Sequence, residues 1–149
     1  MIIKSIIKTT NIPTLLIRLT AGSIFLSEGL QKFITPAATG AGRFAKLGFS
    51  NPSFWAYFTG SFEMVCGVLL LIGLLTRIAA IPLLIIMVVA FITTKIPILI
   101  DQGLWSFAHG YRTDFAMTML LIYLIIYGGG KGSIDQKINH SKTISSEIG

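Results

Sequence analysis

Between Pro13 and Gly128 the sequence carries four apolar stretches, at 13–33, 54–75, 77–97 and 113–128. Each is near the roughly 20 residues with which a helix crosses the hydrocarbon core of a bilayer. Four such runs in 149 residues leave room for only short loops and two tails, so the length holds one domain built from spanning helices. Charged residues make up 12% of the chain and mean hydropathy is +0.78, against roughly 25% charged in soluble domains. A water-soluble globule and a disordered chain are both excluded. Cys66 stands alone, which excludes a disulfide scaffold and a dithiol relay within the chain. The predicted fold class is all-α and integral to the membrane, a four-transmembrane-helix antiparallel bundle over 1–132 with a polar cytoplasmic tail at 133–149.

Punctuation supports this layout. Pro13 suits a first helical turn, and Pro52 follows a capping Asn51. Gly73-Leu-Leu-Thr-Arg77 leaves almost no room between the second and third spans and predicts a tight antiparallel hairpin. Pro82 predicts a kink or loosened first turns in the third span, and Gly128-Gly-Gly-Lys-Gly132 ends the fourth. Lys4 and Lys8 before an apolar run raise the reading of a signal peptide, but Arg18 and Glu28 interrupt that run, and it is long for an h-region. It is read as a span.

The net charge of +6 does not point to nucleic acid, because Lys4, Lys8, Lys131, Lys137 and Lys142 sit in tails beside apolar spans. Such lysines orient membrane proteins and touch anionic headgroups. An even number of spans puts both termini on one side, which would carry those lysines and Arg77. The opposite loops carry Arg43, Lys46, Lys95 and Arg112. The excess places both termini in the cytoplasm of a chain in the inner membrane. Trp55, Tyr57, Trp105 and Tyr111 fall at the outer ends, as interfacial anchors do, and 43–49 reads as a short amphipathic helix on the outer surface.

The most informative residues are charges inside spans: Arg18, Glu28 and Lys32 in the first, Glu63 in the second. Each costs roughly 2.5–3.5 kcal/mol at a helix centre. The nine Leu, Ile and Phe residues of span one return only about 0.3–0.6 kcal/mol apiece, so that span is viable because it packs on other helices. At 100° per residue, Arg18, Gly22, Phe25, Gly29 and Lys32 share one stripe with Glu28 beside it. Gly60, Glu63 and Gly67 share a face of the second span. The expectation is that these glycine-lined stripes meet, with a second protomer as the alternative. Rises of 1.5 Å per residue put Glu63 near the midplane, between Arg18 and Glu28, and pair Arg18 with Glu63. Lys95 and Asp114 lie at the outer mouth, and His109 and Arg112 could join them in a polar rim. The charges either hold a small bundle together or form a proton, ion or polar-ligand site in its outer half. No metal site is read from the sequence, and neither His109 nor His140 lies in a span where it could hold haem.

Arg18-Leu-Thr-Ala-Gly22 followed by Glu28-Gly-Leu-Gln-Lys-Phe33 resembles the first span of DoxX-type membrane proteins. Gly60-Ser-Phe-Glu63, Gly67 and Gly73-Leu-Leu-Thr-Arg77 resemble that family's second span and hairpin, and the likeness covers about 13–130. The resemblance implies a four-helix bundle in the cytoplasmic membrane, with Arg18, Glu28, Lys32, Glu63 and Arg77 as its polar positions. It also implies association with redox complexes, since the family name comes from a thiosulfate:quinone oxidoreductase system, or assistance to other membrane proteins.

Three functions compete. The first is a membrane subunit of a redox system holding a quinone or a partner between its helices, with no self-contained catalytic motif. The second is a proton-coupled small-solute carrier exchanging at Glu63 or Glu28. The third is an assembly factor or scaffold for membrane or redox proteins, or a homo-oligomer. All three have the lipid bilayer as a partner.

Overall fold

The computed structural model describes residues 12–138, which form helices and turns with no strand among them. In order these are α1 (Ile12–Ile34), the short α2 (Ala41–Lys46), α3 (Pro52–Ile72), α4 (Thr76–Ala90), a π-helical turn (Phe91–Lys95) and α5 (Ile96–Tyr127). Two helical segments are long and apolar enough to cross a membrane, Pro52–Ile72 and Thr76–Tyr127. The polar character of α1 keeps it from that class by composition, although it is 23 residues long.

The glycine stripes of α1 and α3 meet, as their spacing predicts. A Cβ at Gly29 would lie 2.7 Å from the Gly60 carbonyl oxygen, and one at Gly67 would lie 2.8 Å from the Leu26 nitrogen. Only glycine lets the two backbones approach this closely, and dispersion contacts then run the length of the pair. The order is antiparallel, with Phe33 and Tyr57 packed at one end at 5.3 Å between ring centroids.

The α3–α4 turn is tight for a local reason. Gly73 adopts φ 71° and its N–H bonds to the Leu69 carbonyl at 2.9 Å, while Leu74 N–H reaches the same oxygen at 3.0 Å. This closes the end of α3 in a left-handed glycine cap. Asn51, expected to cap α3, sits at φ 59° and makes no side-chain cap bond. Its left-handed backbone carries the chain into Pro52 instead. Pro82 is accommodated within a continuous α4, with Leu83 beside it fully buried.

The largest departure lies between the third and fourth spans, where a connecting loop with His109 in it was expected. Helix continues there, and the chain reverses at Gly103, whose φ of 82° and ψ of 177° break α5 into two limbs. No apolar periodicity marks this, because one glycine supplies the whole turn. The limbs run antiparallel: the Phe91 ring packs tilted on Tyr111 with centroids 4.9 Å apart, and Lys95 donates to the Gly110 carbonyl at 2.7 Å. The π turn precedes Pro97, which lacks the N–H an α-helix would direct at the Thr93 carbonyl.

Four helical limbs share one apolar core, with Ala21 and Phe25 from α1, Cys66 and Leu70 from α3, Leu83 from α4, and Leu121 and Leu124 from α5. Large apolar side chains also point outward along every limb, among them Leu16, Val65, Ile78 and Ile85. Within these helices Arg18, Lys32 and Glu63 are buried while many aliphatic side chains are exposed, the distribution a hydrocarbon solvent favours.

Replacing Gly29 by alanine forces α1 and α3 apart. Gly29→Ala is expected to cost about 1–3 kcal/mol in detergent unfolding, whereas Ser61→Ala, on the exposed face of α3, stays within about 0.5 kcal/mol.

Candidate functional site

Side chains on a helix lean toward its N-terminus. In the antiparallel α1–α3 pair, Lys32 therefore reaches inward from its Cα and Glu63 reaches outward, and the two meet. Lys32 Nζ donates to Glu63 Oε2 at 2.6 Å, with both residues less than a tenth exposed. Nζ also approaches the Glu28 carbonyl oxygen at 3.4 Å. The expected Arg18–Glu63 pairing is replaced by this one, because heights reckoned at Cα atoms ignore several ångströms of side-chain reach.

Arg18 lies at the opposite end of the bundle. It is 2% exposed and donates through Nη1 to the Gly129 carbonyl at 3.0 Å and through Nη2 to the Gly132 carbonyl at 3.3 Å. Gly73 leaves the space its guanidinium fills. The Asp135 carboxylate accepts from the N–H groups of Leu75 at 2.7 Å and Thr76 at 2.9 Å, and so supplies α4 with an N-cap from 60 residues away. Ser133, in this docked segment, is buried. Arg18 and Asp135 thus clasp the end of α5 to the α3–α4 turn. Nothing local to Asp135 announces which helix it caps.

The other candidate residues gather around a cavity of about 530 Å³ at the other end of the bundle from Arg18, bordered by Glu28, Lys32, Glu63, Lys95 and Asp114. Lys95 Nζ pairs with Asp114 Oδ2 at 3.0 Å. Arg43, which sequence reasoning assigned only to a surface helix, borders the cavity too, and so does Thr94 of the π turn, whose buried Oγ1 has no hydrogen-bond partner. His109 and Arg112 are exposed, 3.4 Å apart, and do not border it. Gly22, Gly29, Gly60 and Gly67 act behind it as the helix contact. Among the described residues no cluster of His, Cys, Asp and Glu is placed to hold a metal.

The cavity is mostly apolar-walled and carries three cations and three carboxylates, an ammonium–carboxylate pair at its base and a second at its mouth. Its volume suits a small ring system or headgroup, and a few convergent polar groups would orient one. The Lys32 ammonium can donate to a ligand oxygen, and Glu63 can accept from a hydroxyl. In low dielectric these contacts are strong.

A helical membrane protein with an ion pair buried between glycine-packed helices is the class these features define. The chain belongs to the DoxX family, whose profile matches residues 14–96. It is 45% identical to "Uncharacterized membrane protein Rv3486" of Mycobacterium tuberculosis, over 85% of this chain and 82% of that protein. It is 32% identical to "Putative oxidoreductase CatD" of Bacillus subtilis, over 81% of this chain and 83% of that one. No solved structure matches it.

Removing one partner of the buried pair leaves the other charged and alone. Lys32→Met and Glu63→Leu are each expected to cost about 3–5 kcal/mol, and the double variant to cost clearly less than their sum, a coupling that a double-mutant cycle of detergent unfolding measures.

Proposed function

We propose that the protein is a four-span inner-membrane subunit of a redox-linked system whose outer-end cavity takes the headgroup of a quinone. The spans are α1, α3, α4 with its π turn, and the second limb of α5, with both termini cytoplasmic. The observation carrying this reading is the Lys32–Glu63 pair at the base of an apolar-walled cavity with equal numbers of cations and carboxylates around it. Lys32 offers a donor to a quinone carbonyl, and Glu63 an acceptor to the hydroxyl of the reduced form. A bound quinone would accept two electrons and two protons on reduction to the quinol. This chain's part is to hold the ring and manage protons, and a partner subunit supplies the electrons. The balanced charge favours a neutral headgroup over the cationic substrate a carrier would need. The oxidoreductase name of the Bacillus subtilis relative agrees with a redox setting.

A second reading, an assembly scaffold, draws on the reversal around Gly103, where Ile100, Leu104 and Trp105 are 76%, 65% and 87% exposed. A membrane-protein partner would cover that tip.

Extraction in mild detergent, with lipid mass spectrometry and an absorption spectrum, separates the two. A stoichiometric quinone is expected, falling at least tenfold in Glu63→Gln. A quinone-free preparation with a specific membrane partner overturns the redox reading in favour of the scaffold. For the topology, single cysteines introduced in a Cys66→Ala background as Lys131→Cys and Gly48→Cys are expected to label from opposite sides of sealed vesicles. Labelling from one side contradicts four spans.

A further inference from the structure

The clasp end of the bundle holds a second pocket, open and about 830 Å³, bordered by the α4 start and the glycine loop after α5. Arg77 and Lys131 border it, and Arg77 folds over the loop, with its Nε 3.2 Å from where a Gly128 Cβ would stand. Both side chains are exposed to whatever enters.

The loop backbone is oriented by Arg18. Because the Gly129 carbonyl turns inward to the buried guanidinium, the N–H of Gly130, on the opposite edge of the same trans peptide, points away from it. The Gly130 carbonyl is likewise taken, by Ser133 Oγ at 2.6 Å, which turns the Lys131 N–H away from Ser133. Among the described residues the N–H groups of Gly129, Gly130 and Lys131 have no acceptor. Positive φ at Gly128, Gly130 and Gly132 shapes this loop, and successive N–H groups turned outward, here those of Gly130 and Lys131, attract anions.

Thr76, fully buried, stands behind this loop, with its Oγ1 2.7 Å from where a Gly129 Cβ would stand. Among the described residues the one carboxylate at the pocket, Asp135, is engaged by the Leu75 and Thr76 N–H groups. Arg77, Lys131 and Arg18 behind the loop leave the local charge positive.

We propose that this pocket binds a phosphate group, held by Arg77, Lys131 and the free N–H groups of Gly130 and Lys131. The source that fits is an anionic phospholipid headgroup of the leaflet at this end, since basic pockets at helix ends take such headgroups. That source rests on the four-span reading, whereas the phosphate chemistry does not. The site is distinct from the outer cavity.

The test uses the full chain, delipidated in detergent, with Tm followed against phosphatidylglycerol, phosphatidylcholine and inorganic phosphate. Phosphatidylglycerol is expected to raise Tm where phosphatidylcholine does not, and the combined Arg77→Gln, Lys131→Gln variant to need at least tenfold more of it. Lys46→Gln, which removes a charge at the other end, leaves the response unchanged. A rise with inorganic phosphate alone also supports the site and assigns a soluble phosphate as its source, leaving the membrane topology to the labelling experiment. An equal response to both lipids with none to phosphate overturns the proposal. So does a double variant that responds like the parent, since the tail lysines it retains then suffice. Should the double variant fail to fold, Lys131→Gln alone, in an exposed turn, must weaken the response at least threefold, and no weakening overturns the proposal.

Discussion

A polar group enclosed by apolar surface has no water to turn to, and the architecture of this chain follows from how its buried charges and an open helix end find partners. Lys32 finds Glu63 across the glycine contact of α1 and α3. Arg18 finds two backbone carbonyls in the loop after α5. The uncapped N–H groups at the start of α4 find Asp135. Each solution joins segments far apart in sequence, so the polar groups cross-link the bundle while the small-residue contacts set its spacing. Dispersion packing alone would allow the helices to slide or rotate; directional bonds do not.

The same bonds divide the molecule into two ends with different chemistry. At the end bearing the Gly103 reversal, ion pairs surround a mostly apolar cavity, and the π turn before Pro97 presents an unpartnered Thr94 hydroxyl at its wall. At the other end, a buried guanidinium draws loop carbonyls inward and leaves N–H groups facing out, under Arg77 and Lys131. A charge-balanced apolar cavity suits a neutral ring, and a net-positive open pocket suits an anion.

Much of the pairing of α1 with α3 is legible in residues alone, because Gly22, Gly29, Gly60 and Gly67 at sevenfold spacing mark a contact face that helical geometry makes obligatory. The placement of Lys95 beside Asp114 is legible for a similar reason, as both flank the same reversal. The identity of Glu63's partner is not. Lys32 and Arg18 are both cations on its facing stripe, and the choice depends on side-chain lean in an antiparallel pair, which heights at Cα atoms do not contain. Arg43 and Thr94 escape for a different reason, since their relation to the cavity exists only once α2 and the π turn have been folded over it.

The sequence by itself determined that this is a helical membrane chain, where its tight turn falls after α3, and that α1 must pack through glycine. These follow from hydropathy, helical period and the absence of a Cβ, which are local properties. The tertiary structure decided the rest: that helix runs on to Gly103 before reversing, that Arg18 ties the end of α5 to the α3–α4 turn, and that Asp135 caps a helix 60 residues upstream. A hydrogen bond or ion pair has no local signature, because its free energy depends on where two groups end up once the chain around them is fixed.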